Sequence, residues 1–180
     1  MSNLLDTIMR VALAIFLIGI CTTLSHADDH SGQLAPAILD KAAAILEHAD
    51  VFATAHTGFG GGNTSEEAWA FTAILRHSPN PEARFLKTLN HASPAGTLYC
   101  MLGLREIKSP RYSDLRRQIL TALKTDDDKP VNILFGDSIE LGETVGGFIE
   151  KLDRLRVSDY ILDPLPDFFS TRRTIAIDTK

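Results

Sequence analysis

One candidate chemistry in the chain lies near its amino terminus, at Asp28-Asp29-His30, and depends on where the chain is cut. These residues follow Ser25-His26-Ala27, where small residues stand at the two positions a signal peptidase reads. A cut after Ala27 frees an amine on Asp28. That amine, two backbone amides that can lose their protons and the imidazole of His30 form a square of nitrogens suited to Cu(II) or Ni(II). Asp28 and His30 are thus the candidate metal residues, for binding in vitro, and no other cofactor is expected. Of the remaining histidines, His48, His77 and His91 each fall near the last turn of an expected helix, where a partly positive ring suits the negative end of the dipole. His48, Asp50 and His56 have ligand types but match no zinc spacing.

Two further groups have the chemistry of recognition. The run Gly58-Phe59-Gly60-Gly61-Gly62-Asn63 precedes a helix start, a place where backbone N–H groups attract anions. It has no lysine of the kind a nucleotide loop uses, and Glu66 and Glu67 would repel a phosphate there. It reads as a connector whose Gly58, Phe59 and Asn63 offer a recognition edge. Near the carboxyl terminus, Phe168, Phe169, Arg172 and Arg173 combine the aromatic and guanidinium groups that anchor protein partners. A last candidate is Ser138, in Ile133-Leu134-Phe135-Gly136-Asp137-Ser138-Ile139. An apolar strand followed by Gly-Asp-Ser-Ile resembles the nucleophile block of GDSL-type esterases and lipases, and the resemblance implies an ester-cleaving serine served by a histidine near the carboxyl terminus. A serine hydroxyl is a weak nucleophile without such a base. No histidine follows His91, and only 42 residues follow Ser138. The hydrolase reading is therefore set aside as the alternative, and a strand-to-turn junction is expected.

These residues must be positioned by helices. The central one starts at Ser93-Pro94, a hydroxyl cap followed by a residue with no N–H to strand. From Leu98 to Leu104 it carries no charge on any face, as a helix surrounded by protein does. Cys100 lies in this run and reads as a small buried hydrophobe rather than a reactive thiol. Ile38, Ala42, Ile45 and Ala49 recur at helical spacing and place a helix over about 33–48. Thr64 to Glu67 forms a capping box for a second, with Thr64 as cap. Asn80-Pro81 starts a third, which carries Phe85, Leu86 and Leu89. Ser109-Pro110 or Ser113 starts another, with Leu115, Ile119, Ala122 and Leu123 as its stripe and Arg116, Arg117 and Lys124 facing water. Asp126-Asp127-Asp128 reads as a solvated loop. Val145, Phe148, Ile149 and Leu152 mark a sixth helix.

The fold class expected is mainly α: a bundle or curved stack of about six short antiparallel helices, with no repeat array. Val131 to Phe135 is β-prone, and Ile175 and Ile177 alternate with polar residues, which permits a small C-terminal β pair. Residues 157–180 read as an extended, proline-broken segment.

Residues 1–27 hold Arg10, an apolar run from Val11 to Leu24 and the Ser25-His26-Ala27 site, so they read as a signal peptide. The apolar run falls short of the roughly 20 residues of a membrane span. Residues 28–180 form a single helical domain, periplasmic or secreted. The net charge of −5 and the lack of a basic stripe argue against nucleic acid. The text A-G-x-L-Y-x-x-x-G-L from Ala95 to Leu104, with the Pro81-Glu82-Ala83-Arg84-Phe85 helix before it, resembles a group of small exported bacterial proteins of uncharacterised function. That resemblance implies an extracytoplasmic helical domain and brings no site. The function expected is non-catalytic binding of another envelope protein or a peptide; the alternatives are a metal-handling protein with Cu or Ni at Asp28-Asp29-His30 and a hydrolase using Ser138.

Overall fold

The computed structural model describes residues 33–57, 63–123, 128–136, 138–140 and 142–167. The described residues from Leu34 onward make one compact, mainly helical unit. Its helices are α1 (Pro36–Glu47), α2 (Glu66–His77), α3 (Pro81–Leu89), α4 (Pro94–Glu106), α5 (Tyr112–Leu123) and α6 (Val145–Lys151). Short strands interleave with them: β1 (Val51–Ala53), β2 (His56–Thr57), β3 (Asn63–Thr64), β4 (Asn132–Phe135) and β5 (Ser138–Glu140). No helix among the described residues is long and apolar enough to cross a membrane.

The centre is α4, as its uncharged text predicts. Every residue from Leu98 to Leu104 is buried, Cys100 included. Burial of each large apolar side chain is worth about 1.5–3 kcal/mol. Ser93 starts the helix as expected. Its Oγ accepts from Gly96 N–H at 3.0 Å and donates to Ala49 O at 2.6 Å, and its N–H donates to Glu47 O at 2.9 Å. The start of α4 thereby satisfies the last carbonyl of α1 and that of Ala49 just beyond it. In α1 the fully buried line is Leu39, Ala42 and Leu46, with Ile38 and Ile45 partly covered beside it.

A small sheet lies against α4. Its order is β1-β4-β5, with β1 parallel to β4 in the register Val51 to Asn132 and Ala53 to Leu134. Phe52 of β1 gathers an aromatic cluster, with ring centroids 4.6 Å from Tyr99, 4.8 Å from Tyr160 and 5.3 Å from Phe148.

Several expectations are corrected. The strand over Val131 to Phe135 forms, but its neighbours on both sides are β1 and β5, so no edge of β4 is left for Ile175 and Ile177, which lie outside the described residues. The segment read as extended from Val157 on is not extended at its start. Val157–Tyr160 forms a 3-10 turn, and Val157, Tyr160 and Leu162 enter the core. The cap of α2 is Ser65, not Thr64: its Oγ accepts from Ala68 N–H at 3.1 Å and donates to Glu67 at 2.8 Å. Thr64 is drawn into β3, opposite His56. On α5, Ala122 is exposed and Arg116 half-buried, while Arg117 faces water and pairs with Asp114. Lys124 lies outside the described residues.

Candidate functional site

Most residues singled out for recognition or metal lie outside the described residues: Asp28, His30, Gly58, Phe59, Phe168, Phe169, Arg172 and Arg173. The signal segment 1–27 does too. Asn63 is described. It is exposed on β3 and pairs with Thr57, so residues 58–62 link the two strands of a hairpin. His48, Asp50 and His56 are all exposed. His48 caps the end of α1 and His77 ends α2, as their helix-end reading anticipates, while His91 stands two residues beyond α3. Among the described residues no group of three or more His, Cys, Asp or Glu side chains is placed to hold a metal ion.

Ser138 occupies a geometry unlike a nucleophile elbow. Phe135 pairs with Ser138, so the chain doubles back after Gly136 and a strand follows where an elbow would have a helix; Asp137 lies outside the described residues. Gly136 has φ +55°, the left-handed conformation such turns favour at this position. Thr54 fixes the turn from below. Its N–H donates to Leu134 O at 3.0 Å, its Oγ1 accepts from Gly136 N–H at 3.0 Å, and its hydroxyl donates to His56 O at 3.1 Å. One side chain thus ties the β4–β5 turn to the strand that leads into the glycine run.

The hairpin register decides which backbone groups β5 presents. In a two-residue hairpin the closing pair, here Phe135 and Ser138, exchanges hydrogen bonds, and the next pair, Leu134 and Ile139, does not. Leu134 agrees with this, since its carbonyl points to the β1 side and accepts from Thr54. Ile139 therefore turns its own N–H and C=O away from β4, toward the outer edge of the sheet. Its side chain is 65% exposed, the large apolar side chain that stands out on the described surface.

This edge was missed in the sequence reading, although a signal for it was present. Gly-Asp between two β-prone stretches is a hairpin signature. Read as the start of Gly-Asp-Ser, it directed attention to the serine hydroxyl instead of the backbone one residue on. Comparison with protein-family models, with curated proteins and with solved structures gave no match.

Proposed function

We propose that the chain is an exported, non-catalytic helical domain of the cell envelope that binds another protein by adding an extended segment of it to the outer edge of β5. The observation that carries this reading is Ile139, with two backbone groups aimed outward beside an exposed apolar side chain. A strand edge with bare donors and acceptors is a template for an extended peptide, and alternate side chains supply specificity. Thr54 ties the β4–β5 turn to β2, whose partner strand carries Asn63, so Asn63 is assigned to the rim of the contact; Gly58, Phe59 and the Phe168-Phe169-Arg172-Arg173 tail, outside the described residues, are kept as candidate recognition residues. A non-catalytic role is supported by the hairpin geometry at Ser138, where a strand stands in place of the helix of a nucleophile elbow, and by His48 and His77 at separate helix ends.

The test is crosslinking capture from the native envelope fraction. Ile139→Pro removes the outward N–H without touching a bond to β4, and it is expected to lose the proteins that the parent recovers. If Ile139→Pro recovers the same set, the edge is not the contact. If the Phe168→Ala, Phe169→Ala double variant does, the tail is not. Export is tested by intact mass, which should place Asp28 first. On that terminus a Cu(II) titration should show a tight site that His30→Ala abolishes, and a different first residue rules the copper site out.

A further inference from the structure

At the other end of β4 an open groove of about 530 Å³ separates α5 from the α3–α4 pair. That volume lies within the roughly 300–1,000 Å³ of small-molecule sites. Leu89 and the first turn of α4, Pro94 and Thr97, form its floor, while Ile119 and Leu123 of α5 form a wall. The Thr97 hydroxyl donates to Ser93 O at 3.0 Å, which leaves the floor with no free hydroxyl proton. The α5 wall is incompletely packed: none of its residues is fully buried, although Leu115, Ile119, Leu120 and Leu123 all lean on the core.

Lys129 is the ionisable side chain that lines the groove. Among the described residues no carboxylate pairs with it. Its backbone is held in place, because its carbonyl accepts from Val145 N–H at 3.1 Å and Pro130 bridges to Thr144. Before it, the Asp128 carboxylate accepts from the Thr144 hydroxyl at 2.6 Å and from Gly146 N–H at 2.9 Å. A rigid segment thus presents one cation at the end of an apolar slot.

We infer that this groove binds a free aliphatic carboxylate of the fatty-acid kind, its chain along α5 and its carboxylate at Lys129. Apolar walls supply affinity, and the single cation fixes the orientation. The inference does not rest on the proposed protein contact, since Lys129 precedes β4 and the Gly136 turn follows it.

The experiment is calorimetric titration of the full chain with monomeric dodecanoate and with dodecyltrimethylammonium, which has the same tail and the opposite charge. Dodecanoate is expected to saturate one site per chain and the cation to bind more weakly. Lys129→Gln, at an exposed position, should weaken dodecanoate by about fivefold, the scale of an exposed charge pair, and leave the cation unaffected. Ala122, exposed on α5, also lines the groove, so Ala122→Trp places an indole at its wall and should abolish both, with circular dichroism confirming its helices. The inference is overturned if the cation binds as tightly as dodecanoate, if Lys129→Gln changes nothing, or if only an uncharged apolar peptide or phosphatidylglycerol vesicles bind. Ile139→Pro should leave the dodecanoate titration intact, which separates this site from the β5 edge.

Discussion

Tyr99 holds two backbone groups with one hydroxyl. Ala53 N–H donates to it at 2.9 Å and it donates to Ala53 O at 2.7 Å, so the side chain ends the sheet at β1 as a further strand would. Burial pushes its phenol well above the usual range, and burial does the same to the Cys100 thiol. That Tyr99 and Cys100 are buried was legible from the uncharged run around them. What Tyr99 bonds was not, because its partner lies 46 residues away and gives no local pattern. Tyr112 shows the same chemistry at a half-exposed place. Burial first, and then the Asp153 carboxylate that its hydroxyl reaches at 2.9 Å, push its phenol from 10.0 up to about 12. An unfolded chain releases that proton at about pH 10, whereas the folded one keeps it. The contribution is whole below about pH 10, shrinks as pH rises toward about 12, and is gone above that. Urea unfolding across this window should therefore show the parent losing stability faster than Tyr112→Phe, which has no such proton to lose. Parallel curves would mean that the Tyr112–Asp153 contact carries no linkage.

Helix starts were legible where the cap is local. Ser93-Pro94 and Asn80-Pro81 each cap their helices through a residue three positions ahead, and both are read directly from the text. The cap of α6 is only half local. Thr144 accepts from Gly147 N–H at 3.2 Å, but Gly146 N–H is satisfied by Asp128, 18 residues upstream. The Asp126-Asp127-Asp128 run reads as solvated, yet its last carboxylate is half-buried in a cap; Asp126 and Asp127 lie outside the described residues. The end of α4 was not legible either. Lys108 N–H donates to Arg105 O at 3.0 Å and Ser109 N–H to Leu104 O at 2.9 Å, the paired bonds of a Schellman ending. That motif puts its first residue past the cap in the left-handed region, and Lys108 sits there at φ 55° where glycine is usual. A side chain in that conformation costs on the order of 1 kcal/mol. Lys108→Gly is expected to stabilise the protein by up to about that amount and to raise the thermal midpoint by a few degrees. A fall in the midpoint would show that the Lys108 side chain contributes more than its backbone costs.

At the scale of the whole molecule, the six helices were legible because each has a cap, a period or an uncharged run within its own length, while the pairing of the sheet was not. β1 has three residues, too few for alternation to register, and its parallel partner β4 lies beyond four intervening helices. The same long-range closure explains the two glycines of the A-G-x-L-Y-x-x-x-G-L text, which sequence alone left without a role. Seven residues apart, Gly96 and Gly103 are both points of close approach on α4. A Cβ at Gly96 would meet Leu46 O at 1.9 Å, and one at Gly103 would meet the Phe85 ring at 2.4 Å. The first lets α1 lie against α4, the second α3. The two obstacles differ in kind, since Leu46 O belongs to helix backbone anchored beside the Ser93 contacts, while Phe85 is a side chain with a rotamer to change. Overpacking a core typically costs about 1–3 kcal/mol, and more where the backbone must move. Gly103→Ala is therefore expected to fall within that range in urea denaturation, and Gly96→Ala beyond it. Adding Phe85→Leu to Gly103→Ala should recover part of the loss, because a shorter side chain withdraws from the new methyl, whereas the same addition should not help Gly96→Ala. If the two glycine variants are equally stable, or if Phe85→Leu rescues both, the helices around α4 are not held by these two separate contacts.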